Sequence, residues 1–222
     1  MKQKFKVGIL DDDSSKVTQI ITRLMYGMTE ALPGKKDKYE NYELEPYEIK
    51  VKNNIQDLIN DVFEQELDCI LIDYKLSSYE NVDFTGVEFA KHLEDALYDF
   101  PIFILTSYED DLFANEVYNA YQVFDFDRYL SEESERIELN YKIIEQILKD
   151  IKQKDQWHNE LRKILPLVGT SEEIDSRIIE LDTKLEKSIN GIYSIPEKVK
   201  KDLEASKINE LLAKIDELLD KE

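Results

Sequence analysis

Carboxylates stand directly after two separate apolar runs of this sequence. Asp11 and Asp12 follow the run Phe5–Leu10, and Asp73 follows the run Cys69–Ile72. Apolar runs of this length that stop at an acid are typical of buried strands reaching solvent. Carboxylates that meet there repel one another and raise each other's pKa unless a cation lies between them. Since Mg²⁺ prefers a few oxygen ligands with room for water, these residues predict a magnesium site.

A hydroxyl stands after a third apolar run. Thr106 follows Ile102–Leu105 and should therefore lie at the same edge of the sheet as the carboxylates. A carboxylate beside a bound Mg²⁺ ion can attack phosphorus and form a mixed anhydride, while a hydroxyl opposite donates to the transferred group. We therefore predict that Asp73 accepts a phosphoryl group and that Thr106 contacts it.

The elements that must position these residues alternate between strands and helices. Helical spacing of apolar residues separates the apolar runs, which favours an α/β fold with a parallel sheet covered by helices on both faces. Residues 29–46 are polar and contain Pro33, Gly34 and Pro46, so we expect a surface excursion there. The predicted strands are Phe5–Leu10, Tyr47–Val51, Asp68–Asp73, Ile102–Leu105 and Val123–Leu130.

The rest of the chain is predicted to be helical, which divides it into an α/β domain, residues 1–131, and a helical domain, residues 132–222. A first seam of apolar residues at steps of four and three indicates a helix that requires a partner. Two further amphipathic helices should follow, the second opening at Pro196, to make an all-α bundle or coiled-coil arm. We expect this part to form a homodimer or to bind partner helices. The seam comprises Ile137, Tyr141, Ile144, Leu148 and Ile151.

Composition and charge narrow the function classes. Hydrophobic residues make up 42% of the chain and charged residues 35%, which favours a folded protein. The formal net charge of −20 argues against a nucleic acid partner, because phosphates would be repelled. We find no signal-peptide or membrane-span pattern and expect a cytoplasmic protein. The cysteine, Cys69, lies inside an apolar run and is interpreted as a core thiol.

Three segments together resemble the receiver domain of two-component response regulators. They are Val7–Asp13, reading VGILDDD, Cys69–Leu76, reading CILIDYKL, and Pro101–Ser107, reading PIFILTS. Gly86 falls where that family often has a glycine opening its third helix. The resemblance covers about residues 4–131 and implies a five-stranded, doubly wound, flavodoxin-like sheet.

The resemblance also implies roles for the residues at the strand ends. Asp11 and Asp12 would form the acidic pair, with Asp12 and Asp73 as direct Mg²⁺ ligands and the backbone carbonyl of Lys75 as a further ligand. Asp73 would be phosphorylated by a histidine kinase or phosphotransfer protein, with Thr106 as the switch hydroxyl. On this interpretation the chain is a phosphoacceptor with at most slow self-catalysed phosphoryl transfer and hydrolysis, and not an enzyme.

One family feature is missing from its expected place, the lysine at the end of strand five. The usual spacing from Thr106 reaches Arg128, which would replace the lysine in part. Matching the strand pattern instead puts Glu132 in that position and makes Tyr129 the aromatic switch residue. A glutamate would not replace the lysine, so this departure bears on signal transmission more than on the fold.

Three modes of action remain open from the sequence. As an adaptor, the chain would pass phosphorylation of Asp73 to the helices of residues 132–222 and act by protein contacts, not DNA binding. As a phosphate sink, it would compete with another regulator for a kinase and need no output. As a degenerate pseudo-receiver, it would be a constitutive scaffold in which Asp73 is never phosphorylated.

Overall fold

The computed structural model describes residues 2–26, 31, 33–77, 82–116, 118–191 and 193–202. Its sheet has five strands in the order β2-β1-β3-β4-β5, and every neighbouring pair is parallel. This is the flavodoxin-like order, in which the chain reverses its winding between β1 and β3. The predicted fold class is therefore confirmed. The strands are β1 (Gln3–Leu10), β2 (Tyr42–Ile49), β3 (Cys69–Ile72), β4 (Ile102–Thr106) and β5 (Val123–Asp125).

Helices cover both faces of this sheet. The buried side chains of α3, α4 and α5 pack in the hydrophobic cluster on one face, and those of α1, α2 and α7 pack in the cluster on the other. The helices are α1 (Ser14–Tyr26), α2 (Pro33–Tyr39), α3 (Ile55–Glu64), α4 (Gly86–Ala96), α5 (Glu109–Asn115), α6 (Phe126–Ser131), α7 (Glu133–Ile164) and α8 (Glu172–Asn190).

The second strand is longer and begins earlier than predicted. The segment expected as a surface excursion contains α2 and the first residues of β2, and Pro46 pairs with Val7 inside the sheet. Proline removes a hydrogen-bond donor, so it is tolerated on an edge strand. Because β2 lies at the edge of the sheet, Pro46 marks an edge strand and not a loop.

The fifth strand is shorter than predicted, because β5 ends at Asp125 and α6 begins at Phe126. Asp125 caps this helix, since its side chain accepts a hydrogen bond from the N–H of Arg128 at 2.7 Å. An aspartate also fixes the first turn of α1. Asp13 Oδ1 accepts hydrogen bonds from the N–H groups of Ser15, at 2.8 Å, and of Lys16, at 3.4 Å.

The chain separates into two compact units, Met1–Lys152 and Gln153–Glu222. The first extends past the end of α6 because the first half of α7 packs on the sheet. The predicted seam is not the set of α7 side chains that is buried in the core. Of the seam residues, only Ile144 belongs to the buried set. The buried apolar residues are Leu139, Ile143, Ile144 and Ile147, each at most 1% exposed.

The second unit contains the end of α7, the whole of α8 and a helical segment at residues 197–202. Arg177 on α8 donates two hydrogen bonds to the carboxylate of Glu160 on α7, at 2.7 and 2.9 Å, and one to Glu180. The prediction of a helix that opens at Pro196 extends into residues 203–222, which lie outside the described residues. Among the described helices, none combines the length and apolar character needed to cross a membrane.

Candidate functional site

The parallel register brings the ends of β1, β3 and β4 together at one edge of the sheet. Leu10 pairs with Ile72, and Ile72 pairs with Ile104. The residues that follow these positions, Asp11 and Asp73, therefore lie side by side, and the N–H of Asp73 donates to the carbonyl of Leu10 at 2.9 Å. This edge, at the reversal between β1 and β3, is where open α/β sheets bind ligands.

Three carboxylates converge at this edge. One oxygen from each of Asp11, Asp12 and Asp73 lies within 4.8 Å of the others. Asp11 is 6% exposed and Asp73 3%, whereas Asp12 is half-buried. Within the described part of the chain, Asp11 Oδ2 and Asp73 Oδ1 are buried and accept no hydrogen bond. Buried carboxylate oxygens without a donor are costly, so this arrangement suits a bound cation.

Burial and mutual repulsion shape the charge of this cluster. Burial, reinforced by the neighbouring carboxylate of Asp73, raises the pKa of Asp11 to about 7, although the N–H of Asp13 opposes the shift. The pKa of Asp73 is also raised by burial, against the opposing effects of the Lys16 ammonium and the Thr106 hydroxyl. Both carboxyls are therefore easier to protonate than an exposed aspartate.

Lys16 is the site residue that the sequence reasoning missed. Its Nζ lies 3.7 Å from Asp73 Oδ2, and its side chain is 19% exposed. Two aromatic rings flank the ammonium, that of Phe126 at 5.2 Å and that of Tyr108 at 5.9 Å from Nζ to the ring centroid. Lys16 lies in the first turn of α1, only four residues after Asp12, and nothing in that spacing distinguishes it from a solvent-facing lysine.

Thr106 and Lys75 lie at the same edge of the sheet. Thr106 is completely buried, and its Oγ1 accepts a hydrogen bond from the N–H of Tyr108 at 3.2 Å. The ammonium of Lys75 pairs with Asp111 Oδ2 at 2.5 Å and lies 3.9 Å from the centroid of the Tyr108 ring. The switch role of the Thr106 hydroxyl and the ligand role of the Lys75 carbonyl stay predictions.

In the described part of the chain, Arg128 and Tyr129 pair with residues other than the three clustered carboxylates. Arg128 lies on the surface of α6, where its guanidinium pairs with Glu132 at 3.3 Å and with Glu135. Tyr129 is 1% exposed, and its hydroxyl donates to Asn140 Oδ1 on α7 at 3.3 Å. The guanidinium expected to replace the family lysine is thus engaged with glutamates, and the expected switch aromatic is a core residue.

Gly86 allows α4 to approach Asp73. The N–H of Gly86 donates to the carbonyl of Tyr74 at 2.8 Å, and a Cβ on Gly86 would lie 1.9 Å from the carbonyl oxygen of Asp73. No side chain fits in that space without moving backbone. A capping box between Thr85 and Glu88 fixes the start of the same helix.

We expect Gly86→Ala to destabilise the protein by about 1 to 3 kcal/mol, the usual cost of forcing extra atoms into packed structure. The added methyl group would push α4 away from Asp73, so Mg²⁺ should stabilise the variant less than the wild type. Urea unfolding with and without Mg²⁺ measures both effects. As a control, Gly34→Ala adds the same methyl group in α2, where no heavy atom lies within 4 Å of it. It should stabilise the protein by at most about 1 kcal/mol and should not change the effect of Mg²⁺.

No protein-family model matches this chain, and no curated protein matches its sequence. Among solved structures, a two-component transcriptional regulator AraC from Clostridium phytofermentans is 12% identical over 65% of this chain and 96% of its own, with a TM-score of 0.45. Anti-anti-sigma factor PhyR from Bartonella quintana is 10% identical over 70% of this chain and 52% of its own, with a TM-score of 0.42. A fusion that carries a yeast Spc42 trimeric coiled coil is 17% identical over 81% and 92%, with a TM-score of 0.43.

Proposed function

We propose that this chain is a phosphoacceptor signalling protein in which Asp73 receives a phosphoryl group from a histidine kinase or phosphotransfer protein. The observation that carries the proposal is the pair of buried carboxylate oxygens, Asp11 Oδ2 and Asp73 Oδ1, that accept no hydrogen bond within the described part of the chain. They lie in a three-carboxylate cluster at the ligand-binding edge of the sheet. A cation would satisfy both oxygens at once.

The donor set fits Mg²⁺. Asp12 and Asp73 would hold the ion directly, with Asp11 and the backbone carbonyl of Lys75 completing the pocket. Two oxygens that bind one Mg²⁺ ion lie about 3 to 4 Å apart, so carboxylate oxygens within 4.8 Å of one another need little movement. Bound there, Mg²⁺ would offset the carboxylate charges and polarise the oxygens of an incoming phosphoryl group.

Asp73 and Thr106 have different roles in the proposed phosphoryl transfer. Asp73 is the nucleophile: a bond forms between its carboxylate oxygen and phosphorus while the bond from phosphorus to the donor breaks, and the donor keeps the electron pair. A phosphohistidine donor then takes up a proton as neutral imidazole. The Thr106 hydroxyl, which acts to lower the pKa of Asp73, would donate a hydrogen bond to a phosphoryl oxygen. We therefore propose that the chain is a phosphoacceptor with at most slow self-catalysed phosphoryl transfer and hydrolysis, and not an enzyme.

For the output we propose protein contacts through residues 132–222, in a homodimer or with the helices of a partner. Two observations support this: α7 contributes Leu139 and Ile143 to the core of the first unit, and the same helix continues to Ile164. A shift in the packing of α7 after phosphorylation would therefore act on a helix whose end belongs to the second unit. The acidic charge of the chain disfavours DNA as the target.

The experiment that tests the proposal is the intact mass of the protein after incubation with acetyl phosphate, with Mg²⁺ or with EDTA. We expect the mass of one phosphoryl group to be added in Mg²⁺ only. No addition would contradict the proposal and support the constitutive scaffold. Addition without any change in oligomeric state or in hydrogen exchange of α7 and α8 would support the phosphate sink over the adaptor.

A further inference from the structure

The end of β5 carries no cation in this protein. Asp125 ends the strand, and the buried ring of Phe126 follows it at the start of α6. The positive charge beside Asp73 comes instead from α1, whose first turn carries Lys16. Within the described part of the chain, Lys16 is the cation paired with Asp73.

The surroundings of Lys16 hold its ammonium in place and charged. The rings of Phe126 and Tyr108 flank it, and the first turn of α1 is fixed by hydrogen bonds from the N–H groups of Ser15 and Lys16 to Asp13 Oδ1. Burial acts to lower the pKa of Lys16, but the carboxylates of Asp73 and Asp11 outweigh it, and the pKa is raised. The side chain is therefore positioned and is not a freely moving surface lysine.

We propose that Lys16 supplies the positive charge that faces the phosphoryl group on Asp73, in place of a lysine on β5. The inference rests on the proposed function. It is carried by the 3.7 Å distance between Lys16 Nζ and Asp73 Oδ2. The other carboxylate oxygen, Asp73 Oδ1, is the one that accepts no hydrogen bond within the described part of the chain. A phosphoryl group attached to Asp73 Oδ2 would bring its own oxygens to the ammonium.

The chemical role is charge stabilisation without proton transfer. As a bond forms from Asp73 Oδ2 to the phosphorus of acetyl phosphate, the bond from phosphorus to the acyl oxygen breaks, and acetate leaves with the electron pair. Negative charge then lies on the transferred oxygens, where a preorganised ammonium stabilises it. Arg128 cannot share this role while its guanidinium pairs with Glu132 and Glu135.

The position of Lys16 also predicts an effect on Mg²⁺ binding that is opposite in sign to its effect on the phosphoryl group. Before phosphorylation the Lys16 ammonium pairs with Asp73, which Mg²⁺ also requires, so the lysine opposes the metal. After phosphorylation it faces an anion that carries more charge than the carboxylate alone. Removing the charge of Lys16 should therefore strengthen Mg²⁺ binding and weaken phosphoryl binding. A residue that only maintains the fold would not change these two affinities in opposite directions.

The test compares Lys16→Met with wild type, with Lys16→Arg as the variant that keeps the charge. Lys91→Met is the matched control, because Lys91 pairs with Glu116 on the opposite face of the sheet from α1. We expect Lys16→Met to bind Mg²⁺ about three-fold or more tightly, from melting temperature against Mg²⁺ concentration. Its affinity for beryllium fluoride in saturating Mg²⁺, and its rate of phosphorylation by acetyl phosphate, should fall by about ten-fold or more.

The outcomes separate this inference from the function on which it rests. If wild type and Lys16→Met gain a phosphoryl group at equal rates and bind beryllium fluoride equally, the role of Lys16 is refuted and the acceptor function stands. A larger loss in Arg128→Met than in Lys16→Met would also refute it. If wild type gains no phosphoryl group in Mg²⁺, both proposals fail. Should Lys16→Met not fold, Lys16→Gln and Lys16→Arg give the same comparison of charge lost and charge kept.

Discussion

Asp73→Asn is expected to gain no phosphoryl group from acetyl phosphate in Mg²⁺. An amide lacks the carboxylate oxygen that attacks phosphorus, so the loss should be complete. The substitution nearly keeps the volume of a side chain that is 3% exposed, and it removes one of the repelling carboxylates, so the variant should fold at least as well as wild type. Intact mass spectrometry, followed by borohydride reduction and peptide mapping of the wild type, measures the effect and assigns the acceptor.

The control for this prediction is an aspartate outside the cluster. Asp57 is exposed on α3, and Asp57→Asn changes the net charge by the same amount as Asp73→Asn. It should be phosphorylated at the wild-type rate. An Asp73→Asn protein that still gains the phosphoryl mass in Mg²⁺ would show that another residue is the acceptor.

In the absence of divalent cations, Asp11→Asn is expected to stabilise the protein by about 2 to 4 kcal/mol at pH 8. The pKa of Asp11 is about 7 in the folded protein, mainly because the carboxyl is buried and secondly because Asp73 lies beside it. The unfolded chain loses this proton near its ordinary pKa of about 4. An asparagine cannot ionise, and its Oδ1 can still accept the hydrogen bond that the N–H of Asp13 donates to Asp11 Oδ1.

The sign of the pH dependence follows from the raised pKa. Between about pH 4 and pH 7 the folded state keeps a proton that the unfolded state has released, so stability falls as the pH rises through this window. Mg²⁺ should restore the lost stability of the wild type above pH 7, and should do so less for Asp11→Asn. Urea unfolding in EDTA from pH 5 to pH 8 measures the two profiles. Parallel profiles for the two proteins would contradict the assigned charge of the cluster.

The ends of the central strands could be predicted from the sequence because the rules that place them are local. Each is a short apolar run that stops at a polar residue, and a parallel sheet gathers such ends at one edge. This is why Asp11, Asp12, Asp73 and Thr106 could be grouped without knowing the distances. The edges of the sheet were harder, because a proline normally indicates a loop and Pro46 instead lies in an edge strand.

The two largest departures from the sequence-based view concern tertiary contacts. Lys16 is assigned to the site by the direction in which α1 leaves β1, which no spacing along the chain encodes. The steps of four and three in α7 predicted a seam for a partner helix, whereas the stripe of α7 that packs in the core includes Leu139 and Ile143 and only Ile144 of that seam. Amphipathic periodicity does not specify which of two neighbouring stripes a sheet covers.

The measurement that tests the central claim most directly is a crystal structure of the protein with Mn²⁺ in place of Mg²⁺ and with beryllium fluoride. We expect an anomalous scattering peak about 2.2 Å from carboxylate oxygens of Asp12 and Asp73. The beryllium fluoride group should be bonded through beryllium to Asp73 Oδ2, with one of its fluorine atoms within hydrogen-bond distance of Lys16 Nζ. Manganese bound elsewhere, or an Asp73 side chain that carries no beryllium fluoride at saturating concentration, would contradict the account.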